Sequence, residues 1–328
     1  MTKILITGSS GYIGSCLSNY LKDQKNIYLI DKVNPKKFDK KNFFFIKCDL
    51  NNTEKLEKVL RKIKPEIIIH LAAKSTVNEK IDKNKYIDNN IKATKNLIKV
   101  MLKLKINKII FSSTAAVYDR NLKFLKEKHS LKPISNYGKS KLIAEKMIKK
   151  NKKIKYVILR FFNVSGCITN PLIGEFHNPE THLVPISVFR TIKKNFVNIF
   201  GNNYPTKNSK CIRNYVHVKD ICTAIKKSIF FLKKNNSLIV NIGGGKGTSN
   251  LEVLKRLKRI TNKDVKINFL DKRKGDHPFL VCNINKANTL LGWKPKFSKI
   301  DNILRDEIRW SNFLLLLNII RKYQSVQK

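Results

Sequence analysis

Acidic residues are scarce in this chain of 328 residues: 23 Asp plus Glu stand against 68 Lys plus Arg, a formal charge of +45. Glycine (13) and proline (9) are also few, while 42% of the residues are apolar. That balance excludes a disordered chain and supplies enough apolar surface for one large or two ordinary domains. Long apolar runs are missing too. The longest, Phe313 to Leu317 with Ile319 and Ile320 after one Asn, falls well short of the roughly 20 residues that cross a bilayer. It reads as a buried or partner-facing terminal helix. The six cysteines, Cys16, Cys48, Cys167, Cys211, Cys222 and Cys282, never form a C-x-x-C pair. Neither a zinc site nor a disulfide framework is therefore signalled, and a reducing compartment, the cytoplasm, is expected. Met1 runs directly into a motif without an apolar leader, so export is not expected.

What the chain has in excess is lysine. A pI near 10.1 invites a nucleic-acid reading through phosphate neutralisation. The basic residues are spread over the whole chain, however, and travel with Asn and Ile. All three are favoured by A/T-rich codons, so mutational bias accounts for the composition without a partner. Base readers also rely on Arg forks, and Arg is scarce. The expectation is a solvated, self-repelling surface, with neither nucleic acid nor membrane as partner.

Hydrophobic periodicity alternates between strand and helix through the first half. Strands are expected at Lys3–Thr7, Ile27–Ile30, Phe43–Lys47, Ile67–Leu71, Ile109–Ser112 and Tyr156–Arg160, and helices at Tyr12–Leu21, Thr53–Ile63, Tyr86–Leu104 and Tyr137–Lys149. Such units build a doubly wound α/β fold, a parallel sheet covered on both faces. Beyond about residue 163 loop signals multiply around a helix near Val184–Lys194 and strands near Asn198–Phe200, Asn214–His217 and Ile239–Ile242. The expected organisation is a Rossmann-type dinucleotide-binding domain over 1–163, with part of 215–245 returning to it. Residues 164–328 are expected to form mainly a smaller mixed α/β substrate lobe and a tail.

Two constellations carry chemistry. The first strand enters Gly8-Ser9-Ser10-Gly11-Tyr12-Ile13-Gly14, a G-x-x-G-x-x-G turn whose backbone can approach a pyrophosphate at a helix N-terminus. Asp31 closes the second strand, where a carboxylate accepts ribose hydroxyls and repels a 2′-phosphate, favouring NAD over NADP. The second constellation is Tyr137-Gly138-Lys139-Ser140-Lys141. Tyr137 and Lys141, one helical turn apart, share a face. An ammonium beside a phenol is expected to lower its pKa from about 10 and make it a base near neutral pH. Upstream, Ser112-Ser113-Thr114 ends a strand with hydroxyls able to orient a reacting alcohol.

With these motifs in view the chain resembles the extended short-chain dehydrogenase/reductase family, and within it the UDP-hexose 4-epimerases, over nearly the whole length to about Trp310. The first half of the resemblance is carried by Thr7–Ser15, His70–Ala73, Asp88–Asn90, Phe111–Tyr118, Asn136–Lys141 and Leu159–Asn163. The second half is carried by His177–Pro185, Gly201–Lys207, Cys211–Asp220, Asn241–Leu254 and Arg273–Pro278. The resemblance implies that UDP-glucose and UDP-galactose are interconverted by transient oxidation at C4 with tightly held NAD. It also implies a homodimer in which the helices Tyr86–Leu104 and Tyr137–Lys149 pair with their copies.

Carried over by position, the resemblance makes Tyr137 the base, Lys141 its partner and a ligand of the nicotinamide ribose, and Thr114 the substrate-orienting hydroxyl. Gly8, Gly11, Tyr12, Ile13 and Gly14 would bind the pyrophosphate, Asp31 the adenosine ribose, and Asp49 with Leu50 the adenine. Leu71, Ala72, Ala73, Asn89 and Phe162 would line the rest of the cofactor groove. UDP-sugar contacts would fall to Asn163, His182, Leu183, Asn198, Phe200, Arg213, Arg273 and Asp276, the two arginines suiting a diphosphate. Three positions depart from the family pattern: Phe161 replaces a Tyr beside the sugar, Asn214 an Asp, and Ser75 a Lys. Leu280, of middling bulk, leaves both hexose and N-acetylhexosamine open. The competing readings are an epimerase of UDP-N-acetylhexosamines or UDP-pentoses, and a non-catalytic basic protein on a dinucleotide fold. A 4,6-dehydratase lacks its residues, because Ala115-Ala116 follow Thr114 where that chemistry needs an Asp-Glu pair.

Overall fold

A computed structural model describes residues 2–317, apart from 36–42, 76–81, 120–123, 178, 202, 205, 207–209, 235 and 273–277. Its first strand, β1 (Ile4–Thr7), is an aliphatic run buried at every position, as a strand covered on both faces must be. Next come α1 (Tyr12–Tyr20), β2 (Ile27–Asp31), β3 (Phe44–Lys47), α2 (Thr53–Ile63), β4 (Ile67–His70), α3 (Lys83–Tyr86), α4 (Ala93–Lys103), β5 (Lys108–Thr114), α5 (Asn136–Lys150) and β6 (Lys155–Phe161). The second half contains β7 (Asn163–Ser165), β8 (Ile168–Thr169), β9 (Leu172–Ile173), α6 (Leu183–Ile192), β10 (Val197–Phe200), β11 (Ile212–His217), α7 (Val218–Lys233) and β12 (Leu238–Ile242). It ends with β13 (Gly247–Ser249), α8 (Asn250–Thr261), β14 (Ile267–Leu270), β15 (Phe279–Leu280), α9 (Asn285–Leu291) and α10 (Ile300–Leu316).

Seven strands make one parallel sheet in the order β12-β6-β5-β4-β1-β2-β3. Successive side chains point to opposite faces, so neighbours in sequence feed different cores. Leu5, Ile68, Ile109 and Ile158 pack under Leu60 of α2, Leu97 of α4 and Ala144 of α5. Ile6, Ile69, Ile110 and Leu159 pack under Leu17 of α1 and Ile221 and Ile225 of α7. The late strand β12 pairs with β6 at the sheet edge.

Two expectations are corrected. The helix read as continuous over Tyr86–Leu104 is interrupted by a π-helical segment, Ile87–Lys92, between α3 and α4. The widened turn turns Asn90 inward. Its Oδ1 accepts from the Lys74 backbone N–H (2.7 Å), and its Nδ2 donates to Ser140 Oγ on α5 (2.8 Å). The second half is also more helical than its loop signals suggested. In α7, Ile221, Cys222, Ile225, Ile229 and Leu232 recur at helical spacing and are buried, a signal present in the sequence. The smaller sheet joins β13, β11 and β15, with β7 paired to β11, while α10 packs on α6 and α8. No helix of the described residues is long and apolar enough to cross a membrane.

Candidate active site

The glycine turn is built by close approach. Gly8 has φ +72°, and a Cβ there would stand 2.5 Å from the Ala72 backbone nitrogen; one at Gly14 would stand 2.1 Å from the Gly8 carbonyl oxygen. These two glycines let the turn nest between the end of β4 and the first turn of α1. Gly11 is different. Its nearest obstacle is the Gly8 oxygen at 3.4 Å, and it is exposed, leaving its backbone open to a ligand at the N-terminus of α1. Asp31, at the end of β2, is held by two backbone donors: Ser10 N–H to Oδ2 (3.0 Å) and Val33 N–H to Oδ1 (3.1 Å).

The turn opens onto a cavity of about 690 Å³ that runs along the ends of the parallel strands. Its walls include Gly8, Gly11, Tyr12, Ile13, Gly14, Asp31, Asp49, Leu50, Leu71, Ala72, Ala73, Asn89 and Phe162, together with Thr114, Tyr137 and Lys141. Asn163, His182, Arg213, Phe161, Ser75 and Leu280 also line it. Three expected substrate residues lie elsewhere. Leu183 packs with Val197, Ile199 and Leu254. Asn198 is exposed on β10 and accepts from Asn268 Nδ2 (3.3 Å), and Phe200 ends the same strand, paired with Leu270 of β14. The pairing of β10 with β14 carries both away from the cavity wall. Arg273 and Asp276 fall outside the described residues.

The reacting centre departs from the expected electrostatics. Burial pushes the Tyr137 phenol up to about 12, against a smaller lowering influence from Thr114. Tyr137 is half-buried on the cavity wall, where poorly solvated surroundings disfavour the phenolate. Lys141 is buried; its Nζ donates to the Ser112 carbonyl (2.8 Å) and lies 4.7 Å from the Phe111 ring centroid. Burial lowers its pKa to about 7, against a smaller opposing pull from Glu145. The ammonium is thus tethered to the β5 backbone, and the expected acidic phenol is not found in this structure.

Asn214, which departs from the family pattern, is buried and bifunctional. Its Oδ1 accepts from Gly244 N–H (2.6 Å) and its Nδ2 donates to the Lys246 carbonyl (2.9 Å), a donation a carboxylate could not make. Residue-by-residue reading missed Glu175 and His177, which line the cavity beside His182. The signal was a repeated Glu-x-His spacing, Glu175/His177 and Glu180/His182, placing both members of each unit on one face of extended chain. His182 is raised by the charge of Glu175 against desolvation. For His177, desolvation opposes the charged ring, but Glu175 and Glu180 outweigh it and raise it to about 10.

Residues 4–243 match the model of the NAD dependent epimerase/dehydratase family. The chain is 36% identical over 319 residues to a UDP-glucose 4-epimerase of Lactobacillus helveticus, covering 94% of this chain and 96% of that protein. The chain belongs to the NAD dependent epimerase/dehydratase family. Among solved members, the NAD complex of the Brucella ovis UDP-glucose 4-epimerase superposes with a TM-score of 0.89 at 30% identity, covering 95% of this chain and 99% of that one. The UDP-Glc/GlcNAc 4-epimerase of Campylobacter jejuni gives a TM-score of 0.82 at 31% identity, covering 95% of this chain and all (100%) of the other. Within this epimerase/dehydratase frame the donor set suits a dinucleotide: an open Gly11 backbone, the oriented Asp31 carboxylate and a cavity long enough to reach Tyr137. Ala115 and Ala116 follow Thr114 on its wall, so the acid/base pair of a dehydratase is not presented there.

Proposed function

We propose that the protein is a UDP-hexose 4-epimerase that interconverts UDP-glucose and UDP-galactose with NAD retained through the cycle. The observation that carries this reading is the placement of Thr114, Tyr137 and Lys141 on the wall of the same cavity as the glycine turn and Asp31. The names of the relatives agree with it.

In this reading Gly11 and the N-terminus of α1 bind the pyrophosphate of NAD, Asp31 takes the adenosine ribose hydroxyls, and Asp49 and Leu50 border the adenine. NAD, when bound, supplies reversible hydride acceptance at sugar C4 and a positive charge inside a dry cavity. Tyr137 Oη takes and returns the proton of the sugar 4-hydroxyl, and Thr114 Oγ1 holds both oxygens in line. Lys141, fixed on the Ser112 carbonyl, orients the nicotinamide ribose. Arg213, Asn163 and His182 hold the UDP portion while the sugar turns. Phe161 offers the sugar an apolar face in place of a hydroxyl. Leu280 borders the cavity, and its moderate size admits an N-acetyl group as the second reading.

Residues 1–163 with β12 act as the cofactor domain, and the remainder as the sugar lobe. A homodimer built on the helices of residues 86–104 and α5 is supported by the exposed apolar side chains Ile87 (38%), Leu102 (36%) and Ile143 (41%). The reducing cytoplasm suits six buried, unpaired cysteines. Incubation of the purified protein with UDP-glucose and, separately, UDP-N-acetylglucosamine tests the assignment. Formation of UDP-galactose supports it, turnover of only the N-acetyl sugar favours the second reading, and silence on every UDP-sugar refutes catalysis.

A further inference from the structure

The segment that closes the sugar end of the cavity carries two glutamates and two histidines whose ligating atoms all lie within 4.8 Å of one another: Glu175, His177, Glu180 and His182. We propose that these four side chains form a binding site for a divalent transition-metal ion, with zinc as the natural occupant. The site requires neither NAD nor UDP-sugar and goes beyond the epimerase assignment.

The geometry is that of a tetrahedral shell. A zinc ion about 2.0–2.1 Å from its ligands holds them roughly 3.3–3.4 Å apart. Here His182 Nδ1 lies 2.8 Å from Glu175 Oε1 and 3.5 Å from Glu180 Oε1, while His177 Nδ1 lies 3.0 Å from Glu175 Oε1 and 3.8 Å from Glu180 Oε2. These separations bracket the tetrahedral edge, so small side-chain rotations suffice. The two rings meet edge to face at 5.6 Å, and both Nδ1 atoms approach Glu175 Oε1.

A second observation points to a cation rather than to paired side chains alone. Glu175 is 4% exposed, and its Oε2 is buried without a hydrogen-bond partner. A buried carboxylate with one oxygen unpartnered carries a substantial desolvation cost, which a cation bound to that carboxylate would offset. The remaining ligands are already oriented: Glu180 Oε1 accepts from the backbone N–H of Thr181 (2.7 Å) and of His182 (2.9 Å), in the manner of supported metal ligands. Two imidazoles with two carboxylates suit zinc better than magnesium or calcium, which favour all-oxygen shells.

The consequence reaches the cavity. His182 is the N-cap residue of α6 and lines the cavity with Glu175 and His177. Metal on Nδ1 would leave the ring neutral with its hydrogen on Nε2, a single fixed donor in place of a mobile histidinium. It would also pin the segment before α6 to the chain following β9.

Cobalt(II), which occupies zinc sites and reports tetrahedral geometry by intense visible absorption, is the probe. Chelator-treated full-length protein should bind one cobalt ion per chain with that absorption, and zinc should displace it. The His177→Gln and Glu180→Gln variants should each lose at least ten-fold in affinity. X-ray absorption on the zinc-loaded native chain needs no variant and should show two imidazoles with oxygen ligands. Absence of stoichiometric binding, a sulfur-ligated or six-oxygen shell, or variants that bind as tightly as the native chain would each overturn the proposal. Epimerase assays do not enter these readouts, so a failed metal site and a failed activity assignment are separable.

Discussion

Arg160 and Glu145 form a buried, two-pronged ion pair that ties α5 to β6: Nη2 to Oε2 at 2.7 Å and Nε to Oε1 at 3.0 Å. Glu145 follows Lys141 by one helical turn and Tyr137 by two, so the pair anchors the helix that carries both. Ser113 Oγ also donates to Glu145 Oε1 (2.5 Å), and Arg160 Nη1 donates to the Tyr118 hydroxyl (3.0 Å). Ser113 lies opposite Arg160 in the β5–β6 register, so one network joins sheet, helix and cavity floor.

Breaking that pair by Glu145→Gln leaves a buried guanidinium uncompensated and is expected to cost about 3–5 kcal/mol. Thermal or urea unfolding measures this. The double variant Glu145→Leu, Arg160→Met should recover much of the loss, and a single variant as stable as the native chain would show that the pair does not anchor α5.

Removal of the phenol oxygen by Tyr137→Phe should lower kcat by about 100- to 10,000-fold, the usual contribution of one acid/base group. NAD affinity should stay within a few-fold, since the glycine turn and Asp31 are untouched. With desolvation holding the Tyr137 pKa at about 12, cofactor-free protein at pH 9 should give the same tyrosinate absorbance as the variant. Extra absorbance in the native chain would contradict the burial argument.

His70 supplies a pH dependence. It is fully buried between Thr7 and Thr94, its Nδ1 2.7 Å from Thr7 Oγ1 and its Nε2 3.0 Å from Thr94 Oγ1. Desolvation, helped by the charge of Lys141, lowers its pKa from 6.5 to about 3. Below pH 6.5 the unfolded chain takes up a proton that the folded chain refuses, so stability falls as pH falls through that window. The slope is about 1.4 kcal/mol per pH unit. His70→Gln, measured by urea unfolding between pH 6.5 and 5, should flatten it; an unchanged slope would remove His70 as its origin.

Two glycines of one motif should behave oppositely. Gly14→Ala drives a methyl group to 2.1 Å from the Gly8 oxygen and should destabilise the fold by about 1–3 kcal/mol or more. Gly11→Ala meets only a contact at 3.4 Å and should leave the unfolding midpoint nearly unchanged while weakening NAD binding at least ten-fold in calorimetry. Equal stability of the two variants would refute the packing account.

Local chemistry made much of this molecule legible. Aliphatic runs ending in Gly8, Asp31 or Thr114 read as buried strands that stop at a polar edge, and most strands of the sheet alternate with helices, the pattern of a parallel sheet. The glycine turn, Asp31, Tyr137, Lys141 and Thr114 all sit at strand ends or helix starts, so their meeting in one cavity follows from the winding of the chain. Tertiary structure decided the rest, because those outcomes depend on groups far apart in sequence. Asn90 finds Lys74 and Ser140 only once α5 lies beside the π-helical turn. The pairing of β10 with β14 removed Asn198 and Phe200 from the wall. Desolvation, which no sequence spacing reports, raised the pKa of Tyr137 and lowered that of Lys141. Tertiary packing brought the Glu175/His177 and Glu180/His182 units together beside the same cavity. Spacing along the chain sets which faces side chains occupy, whereas depth, dielectric and cross-chain distance exist only after the lobes have packed.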